Sequence, residues 1–173
     1  MSSGAREEPA AGLIDLVTAR ALWVTRQEAA RTAISAATRS LTEGKDTEPL
    51  RELAGASLDM NVHELGALID ASLVSLGSPL AALTREEALT VVARHFAKEV
   101  VQGRFPIREF ADWAHSAIGH DGPPLTQDLV MLDDLYDGFE GGWGEEPNAL
   151  PTLERFLDES QDLDQKWTRP RNP

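Results

Sequence analysis

Residues 84–103 read TREEALTVVARHFAKEVVQG. Leu89, Val92, Ala93, Phe96 and Val100 recur at three- and four-residue intervals, the spacing that lines one face of an α-helix. Thr84 followed by Glu87 has the form of a capping box, in which each side chain satisfies a backbone N–H at the start of a helix. Gly103 supplies a stop, because glycine accepts the left-handed backbone that follows a helix. The spacing predicts one helix from Thr84 to Gly103.

The same grammar extends in both directions. Upstream, Leu13, Leu16, Val17 and Val24 share a stripe. Thr25 to Glu28 reads as a second capping box, ahead of Ala30, Ala33, Ile34, Ala37 and Leu41 and a stop at Gly44. A short turn is expected at PLREL (49–53), and Asn61 signals a helix that ends near Gly77. Downstream, Pro106 opens a helix carrying Ile107, Phe110, Ala111, Ala114 and Ile118. After the loop GHDGPP (119–124), Leu125, Leu129, Leu132, Tyr136 and Phe139 are expected to face inward. A last helix starts near Pro151 and uses Leu153, Phe156 and Leu157. No segment sustains the two-residue alternation of a half-buried strand. The expected fold is all-α, a compact bundle of about seven or eight helices.

Residues 1–11 and 165–173 read as disordered tails, leaving residues 12–164 as a single all-α domain. Within it, TRQEA (25–29) returns as TREEA (84–88), PLREL (49–53) as PIREF (106–110), and LGALID (65–70) as LVMLDD (129–134). These matches fit a duplicated three-helix unit spanning 25–77 and 84–140. They fit equally well the shared grammar of caps and apolar spacing. The halves differ in content. Residues 25–77 hold no aromatic side chain, whereas 84–140 hold Phe96, Phe105, Phe110, Trp113, Tyr136 and Phe139.

The chain has 173 residues and is 42 % hydrophobic, enough for a real core. No apolar run approaches the ~18 residues of a membrane span. The N-terminus MSSGAREEPAAG lacks an apolar secretory core, and cysteine is absent, which removes disulfides and thiol chemistry. These features point to a cytoplasmic protein. Net charge is −13, unevenly placed: residues 121–164 hold 13 acids and one base, Arg155, leaving 16 acids and 15 bases elsewhere. Such a field repels nucleic acid and anionic lipid and suits a basic protein partner.

The acids concentrate in LDDLYDGFEGGWGEE (132–146). Asp133, Asp134, Asp137 and Glu140 sit close together on the helix that carries Tyr136, and near its C-terminal end the dipole disfavours carboxylates. Nothing nearby in sequence neutralises them. Asp133, Asp134, Tyr136, Asp137, Glu140, Trp143, Glu145 and Glu146 are therefore the candidate partner-binding residues. The plain alternative is a solvated acidic face with distant arginines folded onto it. Trp143, in a glycine-rich loop between acids, is either a lid over the core or an anchor presented to a partner.

Metal and catalytic chemistry leave weaker traces. Asp112, His115, His120 and Asp121 could be joined by Asp133 or Asp137, but there is no HExxH or Glu-x-x-His motif. An EF-hand fails because Leu135 would stand at a ligand position. His63 beside Glu64 and His95 near Glu99 are ordinary surface pairings. The sequence implies no metal, no cofactor and no catalytic residue.

Residues 96–157, with EVVQGRFPIREF (99–110), LDDLYDGFE (132–140) and a final short helix, resemble the small helical immunity proteins that neutralise tRNA-cleaving toxins of the colicin D type. In that family acidic residues occupy the toxin's basic active site and mimic the RNA backbone. The resemblance implies that Asp133, Asp134, Asp137 and Glu140 supply the mimicry. It covers about a third of the chain, with no counterpart to residues 1–80. LRELAG (50–55) and ADWAHSAIGHDGPP (111–124) also have the texture of helical proteins from high-GC bacteria. The expected function is non-enzymatic binding of a basic protein, with a toxin or nuclease as the favoured class and self-association left open. The alternative is a ligand-binding or regulatory domain with a groove near Trp113, His115 and Tyr136.

Overall fold

A computed structural model describes residues 10–78 and 83–168, and every regular element among them is helical. The expected all-α fold is what the chain adopts. By contacts the chain divides into two compact units: Leu83–Asp162, and the chain before it together with the segment from Leu163.

The first unit contains α1 (Ala11–Val24), α2 (Ala30–Thr42), α3 (Glu48–Ala54) and α4 (Val62–Ser75). Helix α1 packs on α2 and α4, and α3 joins α2 to α4. Leu16, Leu22, Leu50, Leu53, Ile69 and Leu73 fill this unit, and alanines such as Ala33 and Ala37 let the helices approach. At Gly12 the chain passes so close to α2 that an added Cβ would lie 2.8 Å from the Ser40 backbone nitrogen. The Asn61 side chain caps α4 by accepting from the His63 and Glu64 N–H groups, as its residue type suggested.

The second unit contains α5 (Arg85–Val101), α6 (Ile107–Trp113), α7 (Gln127–Glu140) and α8 (Leu150–Glu159). Leu89, Phe110, Leu129, Leu132, Leu153 and Phe156 form its core. Thr84 and Glu87 make both hydrogen bonds of the capping box. Arg94, 7 % exposed, donates through Nη1 to the Leu157 carbonyl and the Ser160 hydroxyl, fixing a cation at the C-terminal end of α8. Phe96 meets Trp113 edge-on at 4.8 Å and Phe105 at 5.1 Å, so most aromatics of this half serve its core.

Several expectations are corrected. Thr25 does not open α2: it ends α1, its hydroxyl donating to the Ala21 and Leu22 carbonyls, and Arg26 follows at a φ of +61°. Leu125 and Phe139, expected inward, are 36 % and 39 % exposed, because the buried stripe of α7 runs only from Leu129 to Tyr136. Of the tail expected at 165–173, residues 165–168 belong to a last helix, α9 (Asp162–Thr168). Residues 1–9 and 169–173, also expected to be tails, lie outside the described residues.

Candidate functional site

The acid run separates into two parts. The first is organised by Arg108, one residue into α6. Its Nη1 donates to Asp133 Oδ1, its Nη2 reaches Asp137 Oδ1 at 2.5 Å, and its Nε reaches Glu140 Oε1 at 2.9 Å. Residues 133, 137 and 140 fall on one strip of α7 by helical spacing, and a planar guanidinium presents its donors as a fork that can span such a strip. Asp133 most strongly, and then Glu140, hold the Arg108 pKa well above its ordinary value against the opposing effect of burial. The guanidinium also lies over the Tyr136 ring, 5.8 Å from its centre. Thus α6 supplies the charge that offsets crowded acids at the C-terminal end of α7.

Burial follows the same division. Asp133 is 7 % exposed and Tyr136 8 % exposed, so neither offers a partner much surface. Tyr136 has a raised pKa, chiefly from burial and further from the negative charge of Glu146, with Arg108 opposing. Asp137 and Glu140 are exposed but already engaged by Arg108.

The second part is the loop after α7. Gly142 N–H bonds to the Phe139 carbonyl at 3.0 Å, and Trp143 N–H bonds to the Gly138 carbonyl at 2.8 Å. With Gly142 at a φ of +85°, this is the Schellman form of helix ending. The residue in the Trp143 position of that motif usually packs against a side chain one turn back. Here the position facing it is Gly138, which has none, and Trp143 is left 80 % exposed. Glu145 and Glu146 follow, both exposed. On α7, Met131 and Leu135 are exposed four residues apart at 48 % and 53 %.

Histidines meet the acids on another side of α7. His115 Nδ1 is 2.8 Å from Asp133 Oδ2 and 3.7 Å from Asp134 Oδ1, and His120 Nε2 is 3.5 Å from Asp134 Oδ2. Trp113, His115 and Tyr136, grouped in the alternative reading, face different neighbours. Trp113 stands against Phe96 and Phe110, His115 against the two aspartates, and Tyr136 under Arg108.

Of the eight candidate residues, Asp133, Asp137 and Glu140 gather on Arg108, and Tyr136 lies beneath it. Asp134 turns to the histidines, and Trp143, Glu145 and Glu146 are presented outward. Sequence reasoning gave Arg108 no role. The only signal was its place in PIREF, two residues before the core residue Phe110. No protein-family model, curated protein or solved structure matches the chain.

Proposed function

We propose that this chain is a non-enzymatic interaction protein that docks a basic surface of another protein through the edge around Trp143, Glu145 and Glu146. The observation that carries this reading is the exposure of Trp143, 80 %, on a backbone fixed by the helix ending beneath it. A large aromatic ring on a fixed backbone but left in water has binding energy to give on desolvation, and tryptophan is among the commonest anchors of interfaces. Glu145, Glu146 and Asp134 add exposed negative charge for steering a cationic partner. Asp137 and Glu140 keep solvent-facing carboxylates that a partner's bases approach while Arg108 holds them in position.

The favoured partner class is a toxin or nuclease with a basic active site, as in the colicin D-type immunity proteins that residues 96–157 resemble. In this reading the mimicry falls on Asp134, Glu145 and Glu146 ahead of Asp133, which is buried. The test replaces Trp143 by a photo-crosslinking benzophenone amino acid in the native cell. A single basic protein should be captured, less at raised salt, and lost when Glu145→Lys and Glu146→Lys are added. Capture no different from that of the same probe at exposed Leu58 of the first unit would overturn the proposal.

A further inference from the structure

Among the described residues, His115, His120 and Asp134 form a group whose candidate ligand atoms all lie within 4.8 Å of one another. Three separate pieces of chain deliver them. Helix α6 passes at Ala114 into a single π-helical turn, Ala114–Ile118, which carries His115. Such turns insert an extra residue and re-aim side chains, often at functional positions. Gly119, with a φ of +71°, ends this turn, and the chain folds back so that the His120 ring stands edge-on to His115 with centres 5.0 Å apart. Gly122 closes the fold against Ile118, where an added Cβ would come within 2.4 Å of a methyl carbon. Asp134 comes from α7.

We propose that these three residues bind a divalent metal ion of the zinc class, with three protein ligands and a further coordination position left for water. The donor set is two imidazole nitrogens and one carboxylate, which suits Zn²⁺ and its neighbours, whereas Ca²⁺ and Mg²⁺ prefer all-oxygen sites. Spacing is compatible. Ligands about 2.0–2.1 Å from a tetrahedral ion stand roughly 3.4 Å apart. Here the three ligand atoms lie within 4.8 Å of one another, with His115 Nδ1 3.7 Å from Asp134 Oδ1 and His120 Nε2 3.5 Å from Asp134 Oδ2, so modest side-chain rotation would close them on one ion.

A second observation is independent of that spacing. His115 Nδ1 is buried and makes no hydrogen bond, although Asp133 Oδ2 lies 2.8 Å away. A buried ring nitrogen without a hydrogen bond calls for a partner, and an ion beside the Asp133 and Asp134 carboxylates would supply one. Arg108 holds the other oxygen of Asp133, so this carboxylate is fixed beside His115 Nδ1. The bound ion would staple the loop 119–122 to α7. This site shares Asp134 with the acidic surface proposed for docking but includes none of Trp143, Glu145 and Glu146.

The full chain, stripped with a chelator, is titrated calorimetrically with zinc chloride alone. One equivalent should bind, and His120→Ala and Asp134→Asn should each weaken binding by at least about tenfold. His63→Ala, which removes an exposed histidine of the first unit, should leave affinity unchanged. In the unaltered chain, the ring-proton NMR signals of His115 and His120 should shift together on adding zinc while that of His63 stays. This second readout needs no variant to fold. Wild-type affinity in folded His120→Ala, equal loss in His63→Ala, or unmoved His115 and His120 signals would each overturn the site.

Discussion

Arg108 touches three carboxylates and one aromatic ring, and that single side chain changes what the surrounding acids are for. Asp133 is nearly buried, and a buried charge is tolerated only when its oxygens are paired. Here Arg108 takes one oxygen and His115 approaches the other. None of this was readable from residue order. Arg108 and Asp133 are 25 positions apart, and helical spacing says which residues share a face without saying which face of another helix they meet. What residue order did show was the local excess of acid and the cost of placing it there. Tyr136 offers a clean test at this scale because it is the only tyrosine in the chain. Its folded pKa is raised above the ordinary value of 10.0, so the folded chain keeps the phenolic proton longer than the unfolded chain. The stability this provides is complete below the unfolded pKa and is lost as pH rises through the folded pKa. Absorbance titration of tyrosinate should therefore show a midpoint above that of the urea-unfolded chain. Glu146→Gln should bring it part of the way down, and a midpoint equal to the unfolded one would contradict the placement of Tyr136.

At the scale of elements, helices were legible where their signals are local. Thr84 and Asn61 act as caps because capping needs only the next three residues. Thr25 carries the same signal and fails to use it. A threonine hydroxyl can also bond back to a carbonyl four residues earlier, and at the end of α1 that bond wins. Thr84→Ala should cost about 1 kcal/mol in chemical denaturation through loss of the cap, and Glu87→Ala should add little to it if the box is one unit. The match of TRQEA with TREEA is consequently a likeness of letters at positions with different roles. PIREF and PLREL both fall in short helices, and LGALID and LVMLDD both fall in long ones. Close helix packing was less visible. Gly66 lies where an added Cβ would stand 2.5 Å from the Trp23 indole, whose Nε1 donates to the Val62 carbonyl at 2.8 Å. Gly66→Ala should cost about 1–3 kcal/mol by overpacking and should shift the Trp23 indole N–H signal. An unchanged signal with unchanged stability would show that the indole is not seated there. The π-helical turn that re-aims His115 left no trace in residue order, since its sequence AHSAI continues an ordinary helical pattern.

Across the whole molecule, the charge asymmetry is real but not uniform in purpose. The excess of acid in residues 121–164 survives into the structure as a strip held by Arg108, a pair with two histidines and an outward loop with Trp143. Asp128 adds an exposed pair with Arg155 at 2.7 Å, which contributes little. The fold class followed from periodicity, because all-α architecture is written in every segment. The candidate site was legible as a region and not as roles, because roles depend on which distant cation arrives. Thermal unfolding of two variants separates the structural acids from the presented ones. Asp133→Lys sets a cation against Arg108 in a nearly buried position and should lower Tm by about 5 °C or more. Glu145→Lys with Glu146→Lys should leave Tm within about 1 °C or raise it, since exposed charges lose only repulsion. A fully stable Asp133→Lys chain, or a marked loss of Tm from the Glu145 and Glu146 changes, would contradict the account.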